Sequence, residues 1–165
     1  MKQQEIERKF LVNGDGWRGR VEGVLFRQGY IARTQDRTVR VRVAGDEGTL
    51  TVKYRGEGIA RSEFEYAIPL DEAQALLDGL APGEIIEKKR FTFEEHGSVW
   101  EVDEFMGANA GLIVAEIELA SEEQSFVRPD WLGDEVSKVS RYLNVELSHL
   151  PYTAWTPEQK QEGRK

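Results

Sequence analysis

The chain is 165 residues long, with 32% charged and 39% apolar residues and a formal net charge of −8. This length supports one domain around a single core, and the acidic balance argues against a general nucleic-acid binder, which needs a basic surface. The absence of cysteine excludes disulfides, zinc thiolates and thiol nucleophiles, and no apolar run is long enough for a membrane-spanning helix.

The opening Met1-Lys2-Gln3-Gln4-Glu5 leads into charge rather than an apolar stretch, the pattern expected of a cytoplasmic protein rather than a secreted one. The first predicted strand, Gln4–Val12, follows at once. Residues two apart in a strand share a face, so Glu5, Glu7 and Lys9 stand together on one side. Such a face is not an ordinary sheet interior, because a buried unpaired charge is costly. Next, Gly14-Asp15-Gly16-Trp17-Arg18-Gly19 spells G-x-G-x-x-G. A dinucleotide fingerprint requires a buried strand before it and a helix opening after it. Here the preceding strand is charged and Val21–Tyr30 has no helical pattern, so the segment reads as a loop.

Alternation and β-branched or aromatic enrichment predict further strands at Leu25–Ile31, Thr38–Ala44, Thr49–Arg55 and Arg61–Pro69. Asp71–Leu77 reads as a short helix with Asp71 as its N-cap. Strands then resume at Ile85–Glu95, Ser98–Phe105 and Leu112–Leu119. Gly45-Asp46-Glu47-Gly48 and His96-Gly97 suit tight hairpins. Ser121-Glu122-Glu123-Gln124 has capping-box spacing and is expected to open a helical turn. Val136, Val139, Leu143 and Leu147 recur at helical spacing within Asp134–Leu147, and the polar residues after Thr156 are expected to fray. Neither His96 nor His149 has a metal-ligand partner at useful spacing, and the four tryptophans are assigned to outer-face and helix packing. The fold class is mainly β (α+β): about eight antiparallel strands with a few short flanking helices, in a closed or nearly closed barrel able to hold a small ligand. Residues 1–150 form the domain and residues 151–165 a polar tail.

The charged faces recur strand by strand. Arg40 and Arg42 oppose three valines; Lys53 shares a face with Thr51; Arg61, Glu63 and Glu65 oppose Phe64 and Tyr66. Lys88 and Arg90 stand together, Asp103 has Glu101 beside it, and Glu116 and Glu118 repeat the Glu-x-Glu of the first strand. One such strand alone reads as a half-exposed strand with its charges in water. Repetition with segregated signs does not, since like charges at close range repel by about 1–4 kcal/mol. Carboxylates with no Cys and little His call for a hard divalent cation, Mg²⁺ or Mn²⁺. Arginines supported by lysines call for phosphate. Together they point to metal-assisted chemistry on a small molecule with several phosphates, plausibly three in a row.

These residues resemble the CYTH or triphosphate tunnel metalloenzyme family. The likeness begins with the ExExK signature in Glu5-Ile6-Glu7-Arg8-Lys9-Phe10. It continues through Gln28-Gly29-Tyr30, Arg40-Val41-Arg42, Leu50-Thr51-Val52-Lys53, Arg61-x-Glu63-x-Glu65 and Glu87-Lys88-x-Arg90. Trp100-x-Val102-Asp103, Ala115-Glu116-x-Glu118-Leu119, Trp131-x-Gly133 and Tyr142-x-Asn144 follow in order. The chain is similar to short bacterial members. The resemblance implies an eight-stranded tunnel that binds a triphosphate and divalent metal. It implies metal ligation by Glu5, Glu7, Glu116 and Glu118 with Asp103 close by, and phosphate binding by Lys9, Arg40, Arg42, Lys53, Lys88 and Arg90, with Arg61 a further contact. Glu63 and Glu65, with Lys9, would serve catalysis, the glutamates holding a second metal or orienting water. Lys89 points outward by alternation. The C-terminal helix would close one tunnel mouth, with Lys138 or Arg141 reaching in. The implied activity is hydrolysis of inorganic tripolyphosphate or another triphosphate. A class IV-type adenylate cyclase and a non-catalytic triphosphate or polyphosphate sensor are the alternatives. A homodimer is compatible with such a domain; nucleic-acid and membrane partners are not expected.

Overall fold

Alternation of side chains at a period of two sets the architecture. The computed structural model describes residues 5–55, 60–80 and 84–164, and the side chains of Glu5, Arg55, Ala60 and Arg61 lie outside that description. Strands β1 (Glu5–Val12), β2 (Val24–Arg33), β3 (Arg37–Ala44), β4 (Glu47–Arg55), β5 (Ala60–Ile68), β6 (Ile86–Glu95), β7 (Ser98–Phe105) and β8 (Ile113–Leu119) form where the pattern predicts them. They pair antiparallel in the order β5-β4-β3-β2-β6-β7-β8-β1. The fold is mainly antiparallel β with a few short helices. The sheet wraps until β5 meets β1, through the pairs Glu5↔Arg61 and Ile6↔Ala60. Beyond Ile6, β1 turns that edge to a ninth strand, β9 (Leu132–Glu135). Among the described residues, β5 and β1 meet over those two residue pairs. Gly45-Asp46 and His96-Gly97 close two-residue hairpins, and the successive positive φ angles of His96 (52°) and Gly97 (74°) fit the twist of the flanking strands.

The outward residues are apolar wherever another element covers them. Val41 of β3 packs under Ala73 and Leu77 of helix α1 (Leu70–Asp78). A Cβ at Gly48 would stand 2.8 Å from Ala73 Cβ, so glycine lets the helix lie directly on the sheet. Pro69 caps α1, so Asp71 falls inside the first turn rather than before it; there its carboxylate still faces the positive helix end. On the opposite face, Phe10, Phe93, Trp100, Trp131 and Phe126 form a chain of edge-to-face contacts, and Trp17 packs edge-to-face on Phe91 in the same cluster. The fourth tryptophan, Trp155, buries against Tyr142 and Tyr152. All four therefore serve packing, as expected, and the G-x-G-x-x-G segment is a loop that buries Trp17.

Inside the wrap, four strands (β1, β6, β7 and β8) pass from charged to apolar residues two positions apart: Lys9 to Leu11, Glu116 to Val114, Asp103 to Phe105, Lys88 to Ile86. Leu11, Ile86, Phe105 and Val114 join Val136, Tyr142, Leu147 and Trp155 in one buried cluster. That cluster is an apolar floor closing one end of the charged interior.

Two C-terminal expectations change. Asp134–Leu147 is not one helix: Leu132–Glu135 is a strand, Ser140–Tyr142 a 3-10 turn, and only Asn144–Leu147 forms a helical turn, α2. The free edge of β1 decides this, since Val136 N–H donates to Lys9 O at 2.8 Å and extends the sheet. The polar end also does not fray at Thr156. Its hydroxyl and the Gln159 side chain form a capping box that opens α3 (Pro157–Gln161). At Ser121–Gln124 the chain makes a single turn, with Gln124 Oε1 accepting from Ala120 N–H at 2.6 Å.

Candidate active site

The inward faces of β1 to β8 surround a cavity of about 340 Å³. Lys9, Arg40, Arg42, Lys53 and Arg90 supply its cations, and Glu7, Glu63, Glu65, Glu101, Glu116 and Glu118 its carboxylates. Backbone register explains most of the neighbours. Across β1 and β8, Glu7 faces Glu118 and Lys9 faces Glu116. Across β4 and β5, Lys53 faces Glu63 and Thr51 faces Glu65.

On one wall the charges pair tightly. Lys9 Nζ lies 2.8 Å from Glu116 Oε1 and donates to the Tyr142 carbonyl at 3.3 Å. Burial alone would lower the Lys9 ammonium, but Glu116 and Glu7 raise it above its ordinary value. Burial would raise Glu116, yet Lys9 and Arg90 hold it well below the usual carboxylate range. Arg90 grips Asp103 with two hydrogen bonds of 2.7 Å, reaches Glu101 at 2.5 Å and lies 3.4 Å from Glu116. Burial lifts Glu101 above the usual range despite Arg90. Lys53 sits 2.7 Å from Glu63. Arg40 donates to Thr51 Oγ1 at 3.2 Å, and that hydroxyl donates to Glu65 at 2.9 Å.

Arg42 differs. It donates to Gln28 Oε1 at 3.1 Å and lies over the Phe26 ring at 4.9 Å, but no carboxylate among the described residues forms an ion pair with it. Burial, then the neighbouring Arg40 and Arg90 guanidiniums, push it down to about 10 from 12.5. Arg42 therefore stands beside two other guanidiniums with no ion pair of its own among the described residues, while Arg40 and Arg90 keep their carboxylates. Arg40 Nε is also buried without a hydrogen-bond partner. An anion with several oxygens answers both conditions.

The sequence matches the CYTH domain family over residues 3–150, nearly the whole chain. The protein belongs to the CYTH family. It is 51% identical over 149 residues to an inorganic triphosphatase of Acetivibrio thermocellus, covering 90% of this chain and 96% of that one. An inorganic triphosphatase of Nitrosomonas europaea is 36% identical over 148 residues, covering 87% and 96%. The crystal structure of an inorganic triphosphatase superposes with a TM-score of 0.66 at 32% identity, covering 93% of this chain and 96% of its own.

Within this CYTH fold, ten of the fourteen residues singled out from sequence line the cavity together. Glu5 and Arg61 pair in backbone register, and their side chains lie outside the described residues. Lys88 and Asp103 do not reach the cavity. Both are fully buried, 2.5 Å apart, behind Arg90. Asp103 therefore spends its oxygens on Arg90 and Lys88 and anchors the cationic wall rather than presenting a metal ligand. Burial and then Arg90 push Lys88 down to about 7, whereas Arg90 and Lys88 hold Asp103 low, so Asp103 stays a carboxylate. Lys138 is exposed and absent from the lining; Arg141 turns away to Glu162 at 2.9 Å and stacks over Trp155.

Sequence parity already placed Glu101 on the face of Asp103, and the structure adds it to the lining. Tyr30 lies on the face of Gln28 and Thr38 on that of Arg40, and the same parity would have found both. Leu143, Asn144 and Val145 also line the cavity; the family likeness includes Tyr142-x-Asn144 but gives Asn144 no site role, and strand parity cannot reach residues that a helical turn brings in from outside the sheet. For a divalent cation the donor chemistry fits: the carboxylates are hard oxygen ligands. Among the described residues, however, no three acidic or histidine side chains are gathered closely enough to chelate one. Glu116 is engaged by Lys9 and Arg90 instead.

Proposed function

We propose that this CYTH protein is a divalent-metal-dependent triphosphatase that cleaves inorganic tripolyphosphate to pyrophosphate and phosphate inside the wrapped sheet, which acts as a tunnel blocked at one end. The observation that carries this is the convergence of Arg40, Arg42 and Arg90, with no carboxylate among the described residues forming an ion pair with Arg42. The relatives named inorganic triphosphatases support the substrate. The apolar floor supports a short, unbranched anion, since it leaves no polar recess for a ribose and base.

Arg40, Arg42 and Arg90 would clamp phosphate oxygens bidentately, while Lys9 and Lys53 add point charges on opposite walls. Their fixed positions would favour the charge that spreads over the equatorial and leaving oxygens as the terminal phosphoryl group departs. Glu65 is the better placed of the two candidate bases. It is bound by the Thr51 hydroxyl and its side chain is 42% exposed, whereas Glu63 is held by Lys53. Water's oxygen would bond to the terminal phosphorus as the bond to pyrophosphate breaks, and its proton would pass to Glu65. Glu7, Glu116 and Glu118, with Glu5, would hold Mg²⁺ or Mn²⁺, which supplies charge neutralisation to the phosphate chain. Phosphate oxygens that compete for Lys9 and Arg90 would leave Glu116 available for that role. No helix among the described residues is long and apolar enough to cross a membrane, and we place the enzyme in the cytoplasm with a small-molecule substrate.

The test is phosphate release from tripolyphosphate, ATP, GTP, thiamine triphosphate and pyrophosphate with Mg²⁺ or Mn²⁺, with cyclic AMP followed by chromatography. Release from tripolyphosphate well above that from the nucleotides is the expected result. Cyclic AMP without free phosphate would move the protein to the cyclase class, and tight binding without turnover would make it a sensor.

A further inference from the structure

Asn144 carries the one polar side chain that the C-terminal strap presents to the cavity; its lining neighbours there, Leu143 and Val145, are apolar. Its amide makes no hydrogen bond among the described residues, and Oδ1 is buried without a partner. Asn144 as a whole is half-buried, but a sealed amide position without a partner is uncommon, and a group outside the chain can complete it. The strap is also held firmly. Lys9 donates to the Tyr142 carbonyl, Arg33 of β2 pairs with Glu146, and Tyr142 and Leu147 are fully buried on either side. Asn144 is therefore fixed at the closed end of a cavity whose walls are already cationic.

We infer that Asn144 is a substrate-contacting residue that donates an amide N–H to a phosphate oxygen at the closed end. This rests on the triphosphatase reading above. An ionised phosphate oxygen only accepts, so the useful part of the amide is Nδ2, and a half-turn about the broad terminal torsion brings it to either side. The contact is neutral on the protein side, which suits this end: another cation there would crowd Lys9, and a carboxylate would repel the anion.

The experiment compares wild type, Asn144→Ala and Asn144→Asp by steady-state hydrolysis of tripolyphosphate, by calorimetric binding of tripolyphosphate with metal chelated, and by thermal melting. A hydrogen bond to a charged group predicts that Asn144→Ala raises KM and the dissociation constant about 10- to 100-fold. Asn144→Asp should weaken both further by repulsion, with both variants melting close to wild type. Asn144→Ala within twofold of wild type in both KM and binding overturns the assignment. So do two variants equally impaired and equally destabilised, because a purely structural residue would not distinguish alanine from aspartate by ligand charge. If wild type binds tripolyphosphate without hydrolysing it, the triphosphatase reading fails while the binding series still decides Asn144. If wild type neither binds nor hydrolyses it, both fail.

Discussion

Arg42 tests the electrostatic argument most sharply, because its charge is unfavourable in the unliganded protein. The fall from 12.5 to about 10 corresponds to about 3 kcal/mol of strain in the charged form, at roughly 1.4 kcal/mol per tenfold change. Near neutral pH Arg42 is charged both folded and unfolded, so that full cost opposes folding. Arg42→Met removes it. The same change strips Gln28 Oε1 of its donor, at about 1–2 kcal/mol, and loses the Phe26 contact, about 1 kcal/mol. The terms nearly cancel, so the unliganded variant should melt within about 4 °C of wild type. Ligand binding should respond quite differently. Losing a charged contact to phosphate weakens affinity on the order of 100-fold. With tripolyphosphate at about 100 times the wild-type Kd and metal chelated, wild type gains about 2.7 kcal/mol and the variant about 0.4 kcal/mol. Melting shifts of roughly 5–10 °C and 1 °C follow. The assay is a thermal melt of both proteins with and without tripolyphosphate. An equal ligand-induced shift in the two proteins would refute the anion-site argument, as would a loss of more than about 10 °C in the unliganded variant.

Four other outcomes follow from the same geometry. Glu118→Gln, across from Glu7 on the cavity wall, should raise the Mg²⁺ concentration for half-maximal activity at least about tenfold; an unchanged metal titration would remove Glu118 from the ligand set. Asp103→Asn leaves Arg90 and Lys88 buried without their shared counter-charge, so urea unfolding should show a loss of about 3–5 kcal/mol, and a loss under about 1 kcal/mol would contradict the anchoring role. Glu116 is held well below its ordinary value, so its stabilisation is present above the unfolded carboxylate value and fades as pH falls through the folded one. Stability measured from pH 6 to pH 3 should therefore fall less steeply in Glu116→Gln than in wild type, and parallel curves would count against the Lys9–Glu116–Arg90 network. Finally, Trp155→Ala should cost about 3–5 kcal/mol, since the indole is buried against Tyr142 with ring centroids 5.1 Å apart; a neutral substitution would restore the view that residues 151–165 are a loose tail.

Much of the site was legible because strand parity is local. Once Glu7 and Lys9, Arg40 and Arg42, or Glu116 and Glu118 lie two apart in extended chain, their shared face is fixed by backbone geometry, and the structure gathers them around one cavity. Parity says nothing of depth along that face. Lys88 and Arg90 share a side, yet one is sealed behind the other, because depth depends on which residues of β7 lie opposite. Asn144 was invisible as a site residue for a related reason: its place depends on a strap that crosses from the far end of the chain. The helical spacing of Val136, Val139, Leu143 and Leu147 misled because a period of three to four also fits a strand followed by two tight turns, and the unpaired edge of β1 chose between them.

The sequence by itself determined a mainly antiparallel sheet, the sign of charge on each inward face and the absence of thiol chemistry, and it pointed to hard-cation and phosphate chemistry. Only the tertiary structure decided which carboxylate meets which cation, left Arg42 without an ion pair among the described residues, withdrew Asp103 into the wall, and closed one end with an apolar floor. The physical reason is range. Side-chain facing is set within a strand by covalent geometry, whereas partners and depth are set by register between strands that lie tens of residues apart.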